Sequence, residues 1–232
     1  MRSFQRKPTM TDKVLYQQDG QIVTITLNDP AMRNPISERE TVDGIVAALE
    51  RLNQDNTARV AILTGAGSAF SSGGDLRAMQ KAFEERANKP ALTTQYYKFG
   101  IQRIPLAFEK LDVPIIAAVN GPAIGAGLDL ACMCDMRVAG ESARFAESFV
   151  KVGIVPGDGG AWLLPRVVGY SKACEMAFTG DRCLVLTWPR NAGKARIRPI
   201  AYAVRLDTLT PALELASVEL TIARKTRIQN RP

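Results

Sequence analysis

Two short stretches without a polar residue, Val60-Ala-Ile-Leu and Ile115-Ile-Ala-Ala-Val, constrain this chain most. Each runs into a glycine turn, Thr64-Gly65 and Asn120-Gly121. A strand with water on one face alternates apolar and polar residues, whereas one covered on both faces does not, so both stretches read as interior strands of a parallel sheet. Between them, residues 76–89 and 92–111 have helical composition, with Pro105 expected to bend or interrupt the second helix. Upstream, residues 14–16 and 22–27 alternate about a turn containing Gly20, which predicts a β-hairpin. Ser37 with Glu40 has the pattern of a capping box, and Val42, Ile45, Val46, Leu49 and Leu52 then recur at helical spacing. Strands alternating with helices predict right-handed crossovers and an α/β fold. A length of 232 residues allows one large domain or one domain with an appendage.

The same sequence excludes several chemistries. It contains no histidine, so a Ser-His-Asp triad, His-ligated zinc and a His pH switch are all absent. Its apolar runs fall far short of the roughly 20 residues that cross a bilayer, so no membrane span is expected. The formal charge of +7 is uneven: residues 1–181 hold 20 basic and 20 acidic side chains, and residues 182–232 hold 10 and 3. The body is neutral and the surplus lies in the last segment, which argues against nucleic acid as the main partner. Cys132, Cys134, Cys174 and Cys183 form no CxxC pair and read as reduced, mostly buried thiols of a cytoplasmic protein. No metal is expected, since Cys132-Met-Cys134 without further ligands reads as helix packing. Arg2, Arg6 and Lys7 are followed by no apolar stretch, so residues 1–11 read as a flexible lead-in.

Two glycine-rich turns, Phe70-Ser-Ser-Gly-Gly-Asp-Leu and Asn120-Gly-Pro-Ala-Ile-Gly-Ala-Gly-Leu-Asp-Leu, follow the two predicted parallel strands, where open α/β sheets place their ligands. Glycine turns leave backbone N–H groups free, and a helix start adds positive partial charge, so each turn is able to present a donor to an anion. Simple turn geometry accounts for either motif taken alone. Neither has the spacing of a dinucleotide fingerprint or a Walker loop.

In order along the chain, Ala31-Met-Arg-Asn-Pro, Val60-Ala-Ile-Leu-Thr-Gly, Phe70-Ser-Ser-Gly-Gly-Asp-Leu, Pro114-Ile-Ile-Ala-Ala-Val-Asn-Gly with Gly125-Ala-Gly, Cys134-Asp, Ala143-Arg-Phe-Ala and Gly153-Ile-Val-Pro-Gly-Asp-Gly-Gly resemble the crotonase superfamily over residues 12–181. The resemblance implies a β-β-α superhelix with two roughly perpendicular sheets, assembled as trimers or pairs of trimers. It also implies an acyl-CoA thioester as substrate, with coenzyme A entering as part of that substrate and no permanently bound cofactor. By the same resemblance the backbone N–H groups of Gly74 and Ala126 form an oxyanion hole for a thioester enolate. Donors fixed before the charge develops are what an enolate oxygen needs.

The acid–base residues depart from the pattern. Hydratases of this family hold water between two glutamates, and here those positions carry Asp129 and Phe149. Asp129 keeps a carboxyl group with a shorter reach, and an Asp in a first helical turn is also favoured by the helix dipole. Asp158 lies one residue from where dienoyl-CoA isomerases and chlorobenzoyl-CoA dehalogenases of the family keep a catalytic aspartate. It is equally placed to N-cap a helix over residues 159–165. Glu147 is a third carboxyl in the region, with a surface charge as its alternative reading. Arg33 and Asn34 lie where the family contacts the CoA nucleotide, and Arg33 is suited to a phosphate.

After residue 181 the resemblance stops and residues 182–232 read as a divergent basic tail, from an altered reading frame or a divergent terminus. One helix is predicted near 211–228, with Thr210 as its N-cap. The C-terminal helical region is therefore expected to be atypical, and trimer formation to depend on it. The activity expected is hydration of a trans-2-enoyl-CoA. Enoyl- or dienoyl-CoA isomerisation by a single carboxyl group is the alternative, and a CoA-thioester-binding remnant without catalysis is the rival class.

Overall fold

A computed structural model describes residues 11–86 and 89–184, together with the backbone strand of 202–203. The predicted hairpin is present as β1 (Val14–Asp19) and β2 (Ile22–Leu27), antiparallel and turning at Gly20. Helix α1 (Arg39–Gln54) crosses to β3 (Val60–Gly65), which pairs parallel to β2. Helices α2 (Leu76–Arg86), α3 (Pro90–Phe99) and α4 (Arg103–Glu109) then lead to β4 (Ile115–Val119), parallel to β3 in register Leu63 with Ala117. The short strand β5 (Ala123–Ile124) and helix α5 (Ala126–Met133) precede β6 (Met136–Ala139) and β7 (Arg144–Ala146). A 3-10 turn, Ser148–Val152, helices α6 (Gly160–Val168) and α7 (Tyr170–Thr179), and strands β8 (Cys183–Leu184) and β9 (Tyr202–Ala203) complete the described elements.

Two sheets result, one of order β1-β2-β3-β4-β6-β9 and a smaller one of order β5-β7-β8. The unbroken apolar reading of β4 has its cause here, since all five of its residues are buried between neighbouring strands and the layers above and below. Helix α1 buries Val42, Ile45, Val46, Leu49 and Leu52, the stripe that its spacing predicts, against the same core as Phe70, Leu63 and Phe145.

Three local expectations are corrected. The Ser37–Glu40 pair is not a capping box. Helix α1 starts at Arg39 after an extended Glu38 that makes no side-chain cap, and the Ser37 hydroxyl instead accepts the Asp75 N–H at 2.9 Å. The break expected at Pro105 falls at residues 100–102, ahead of α4, and Pro105 sits in the first turn of α4, where its missing N–H costs nothing. Helix α6 begins at Gly160 and passes through Pro165 to Val168. The helix expected near 211–228, with its cap at Thr210, lies outside the described residues, as does most of the segment from 185 onward. Among the described residues, no helix is long and apolar enough to cross a membrane.

Asn34 ties the loops at the end of the sheet together. Its side chain is 1% exposed, accepts the Asp29 N–H at 2.8 Å and donates to the carbonyls of Ala66 and Ala69 at 2.9 Å each. Asn120 repeats the device after β4, donating to Gly67 O and accepting from the Gly65 N–H. An apolar replacement would orphan buried backbone groups, each costing about 1–3 kcal/mol. Asn34→Leu is therefore expected to lower unfolding stability by about 3 kcal/mol or more. Urea denaturation monitored by tryptophan fluorescence checks this, and a loss below 1 kcal/mol would show that the loops hold without the amide.

Candidate active site

Because β3 and β4 are parallel neighbours, the turns that follow them leave the same end of the sheet, and short bridges hold them together. Ile124 N–H donates to Ser71 O at 3.0 Å, and Ser71 pairs with Ala123. Gly73 comes so close to the second turn that a Cβ on it would lie 2.4 Å from Ile124 O and 3.1 Å from Ala126 N, so only glycine fits. The two loops named from sequence therefore converge. Asp75 accepts the N–H groups of Arg77 and Ala78 and so caps α2 directly after Gly74. Gly125, at φ 53° and ψ −123°, turns the chain into the first residue of α5, Ala126. Neither the Gly74 nor the Ala126 N–H donates to an acceptor among the described residues. Both residues line one cavity of about 370 Å³, and Ala126 brings the positive end of a helix to it.

The cavity walls are mostly apolar: Leu76, Met79, Tyr97, Ile101, Phe149 and Ile154 contribute. Phe149 thus faces the space where the family resemblance would put a second carboxyl group, and a phenyl ring transfers no proton. Lys151 lies at the wall and is paired with Asp181 at 2.9 Å. Asp158 also lines the cavity.

Asp158 belongs to a cluster that sequence reasoning found only in part. Asp129, Glu147 and Asp158 are 0%, 1% and 2% exposed, and none of their six carboxyl oxygens finds a hydrogen-bond donor among the described N–H and O–H groups. Asp129 projects from the first turn of α5 against the start of α6, where a Cβ on Gly160 would lie 2.1 Å from its Oδ1. It is within carboxyl–carboxyl hydrogen-bonding reach of both Asp158 and Glu147. Burial raises Asp129 well above the usual carboxylate range, and the charges of Asp158 and Glu147 add to the rise. Burial, then the charge of Asp158, lifts Glu147 to about 8, and the hydrogen bond it shares with Asp129 opposes the rise. Asp158 is raised by burial and drawn back by its own bond from Asp129.

The surface reading of Glu147 is overturned, because it continues the buried face of β7, on which Ala143 and Phe145 also lie. The capping reading of Asp158 is overturned as well: α6 starts after Gly159 with no side-chain cap. Asp129 does not line the cavity and stands behind Asp158. At the other loop, Arg33 is exposed in left-handed backbone, and its carbonyl accepts the N–H of Ser72, a cavity residue. Its guanidinium makes no ion pair among the described residues. Asn34, expected at the CoA nucleotide, instead spends its side chain on backbone groups of the protein. Cys132 and Cys134 are buried in the core, as their packing reading requires.

The α/β fold thus brings two amides without an acceptor among the described residues and a carboxyl residue to one mostly apolar cavity. The profile of the enoyl-CoA hydratase/isomerase family matches residues 17–198, past the limit at 181 set from motifs alone, and the chain belongs to this family. It is 36% identical over 206 residues to the Mycobacterium tuberculosis protein named "Probable enoyl-CoA hydratase EchA14", covering 89% of this chain and 75% of that one. It is 35% identical over 176 residues to the 1,2-epoxyphenylacetyl-CoA isomerase of Escherichia coli, covering 75% and 64%. The fold is similar to an enoyl-CoA hydratase structure from Bacillus anthracis, with TM-score 0.75, 29% identity and coverage of 94% and 83%.

The cluster makes folding pH-dependent with a definite sign. Glu147 ionises near 4.5 when unperturbed and at about 8 in the fold, so the folded state holds the extra proton between those values. This contribution to stability is complete below about pH 4.5 and is lost as pH rises through about 8. Melting temperature should fall between pH 6 and pH 9, by an amount reflecting on the order of a few kcal/mol, and fall less in Glu147→Gln. A melting temperature flat across this window in the wild type would contradict the shared-proton picture.

Proposed function

We propose that this protein binds an enoyl thioester of coenzyme A, holds its carbonyl oxygen on the Gly74 and Ala126 amides, and moves a proton at the acyl chain with Asp158. The observation that carries the reading is that the two unpartnered amides and Asp158 line the same cavity. As the proton leaves carbon, the C–H pair passes into the thioester and charge collects on the carbonyl oxygen. Two amides fixed there in advance lower the barrier without reorganising, each worth about 2.7–4 kcal/mol. The side chains around them exclude water and strengthen both hydrogen bonds. Exposed Arg33, whose carbonyl accepts the N–H of the cavity residue Ser72, is suited to the phosphates of the CoA moiety.

One carboxyl group is enough to take a proton from one carbon and return it to another, and Asp158 is the cluster's cavity-lining member. Double-bond migration is therefore the reaction that the geometry supports best. The Asp158 carboxyl oxygens are shielded from solvent, so water does not compete for them as a base. Hydration of a trans-2-enoyl-CoA is the second reading, favoured by Asp129 directly behind Asp158, as a proton partner, and by the relatives named hydratases. Assembly into trimers goes with the family resemblance, and the exposed Trp162, Tyr170 and Phe178 of α6 and α7 offer apolar surface for it.

Incubating trans-2- and trans-3-enoyl-CoA with the protein separates the two reactions. Hydration adds the mass of water and bleaches the conjugated thioester, whereas isomerisation leaves the mass unchanged and moves the absorbance. Asp158→Asn is expected to lower kcat by about 10²–10⁴ with little change in KM. Activity surviving that substitution would remove Asp158 from the mechanism.

A further inference from the structure

The three buried carboxyl groups are linked in a row with Asp129 in the centre, and only Asp158 reaches the cavity. A protonated carboxyl group has one hydrogen to donate. Asp129 therefore satisfies one neighbour with its own proton, and its second link requires a proton from the other neighbour. Asp129 leans toward holding the proton against both neighbours, but one hydrogen serves only one of them, and Glu147, lifted to about 8, is the neighbour that keeps a proton of its own, since two adjacent ionised carboxylates without solvent or a cation are disfavoured.

Among the described residues, the groups facing the cluster supply no alternative. Tyr97 of α3 faces Asp158, and Cys132 of α5 faces Asp129 and Glu147, yet neither donates a hydrogen bond to them. The cations on the surrounding elements are engaged elsewhere. Arg103 of α4 pairs with Asp43, Lys151 of the 3-10 turn with Asp181, and Lys172 of α7 with Glu175. Arg166 of α6 stacks on Trp162, and Arg144 of β7 and Arg137 of β6 donate to backbone carbonyls.

We propose that Glu147 is a positioning residue: protonated, it donates to Asp129, which in turn donates its own proton to Asp158 and leaves that residue as the one ionised, oriented base at the cavity wall. The proposal deepens the reading of Asp158 as the proton-transferring group and rests on it. Within the row no proton is created or lost. When Asp158 takes a proton from the acyl carbon, its new O–H bond replaces the C–H bond, and the same proton goes back to carbon while Asp129 and Glu147 keep theirs. Ionisation of Glu147 draws the Asp129 proton away from Asp158 and frees the Asp158 side chain.

Glu147→Gln tests this, because an amide N–H₂ donates to Asp129 at every pH whereas the carboxyl group stops doing so when it ionises. In the wild type a single ionisation at about 8 predicts that kcat falls about tenfold between pH 7 and pH 9 with KM unchanged. In Glu147→Gln, kcat at pH 7 is expected to stay within about threefold of wild type and the alkaline fall to disappear. Glu147→Leu, which donates nothing, should lose most of its kcat at pH 7. An alkaline fall that persists in Glu147→Gln, or full activity in Glu147→Leu, overturns the proposal. Infrared spectroscopy of the full chain supplies a readout without turnover. A protonated-carboxyl C=O band should vanish in the wild type as pH rises through about 8 and be missing from Glu147→Gln. If that band is present in the wild type and no enoyl thioester reacts, the proton row stands and the assigned function fails. If the band is absent, the row itself is refuted.

Discussion

The parallel pairing of β3 with β4 is the constraint on which the rest depends. Parallel neighbours send their C-terminal ends the same way, so the turn carrying Gly73 and Gly74 and the turn carrying Gly125 and Ala126 meet at one edge of the sheet. Had the two strands been antiparallel, the turns would lie at opposite ends and no common cavity would form. Asn34 and Asn120 then lock the meeting point through side-chain amide bonds to backbone, so the position of the backbone lining the cavity is set by the scaffold. A rigid backbone is the part of such a site that a side-chain substitution disturbs least.

Behind this edge the protein accepts a real instability. Three carboxyl groups out of water, without a cation or an N–H donor among the described residues, oppose folding unless they keep protons. The close contact of Asp129 with Gly160 shows how tightly they are enclosed, because any side chain at 160 would collide with the carboxyl group. Structures that tolerate such strain commonly do so where chemistry needs it, and here the arrangement borders the cavity of an enoyl-CoA hydratase/isomerase family member.

Much of the fold was legible along the chain, for reasons that individual residues make plain. Residues 60–63 and 115–119 have no polar member because both faces of those strands are covered, and the stripe on α1 is the side that meets the core. The loop glycines were legible through the family resemblance, and the structure adds why Gly73 admits no side chain. Of the two readings of Glu147 the surface one fails, and a signal against it existed: Ala143, Phe145 and Glu147 lie at a spacing of two along β7 and its flanks, and all three are buried. The role of Ser37 was not legible, since it fits a local capping rule that its contact with Asp75, 38 residues on, overrode, whereas Asp158 was singled out both as a proton-transferring residue and as a cap, and the structure removes the cap. Asn34 was assigned outward to a ligand, whereas the carbonyls its amide donates to, Ala66 and Ala69, lie more than 30 residues away and are invisible to any local pattern.

The amino-acid order by itself determined the alternation of strands and helices, the two glycine turns, the family and the absence of imidazole chemistry. These follow from periodicity, backbone freedom and residue type, all of which are local or compositional. Only the tertiary structure decided which carboxyl group borders the cavity, that Asp129 and Glu147 stand behind it, and that Asn34 is a structural tie. Burial and mutual approach arise from elements far apart in the chain, and the protonation of a carboxyl group depends on just those two quantities.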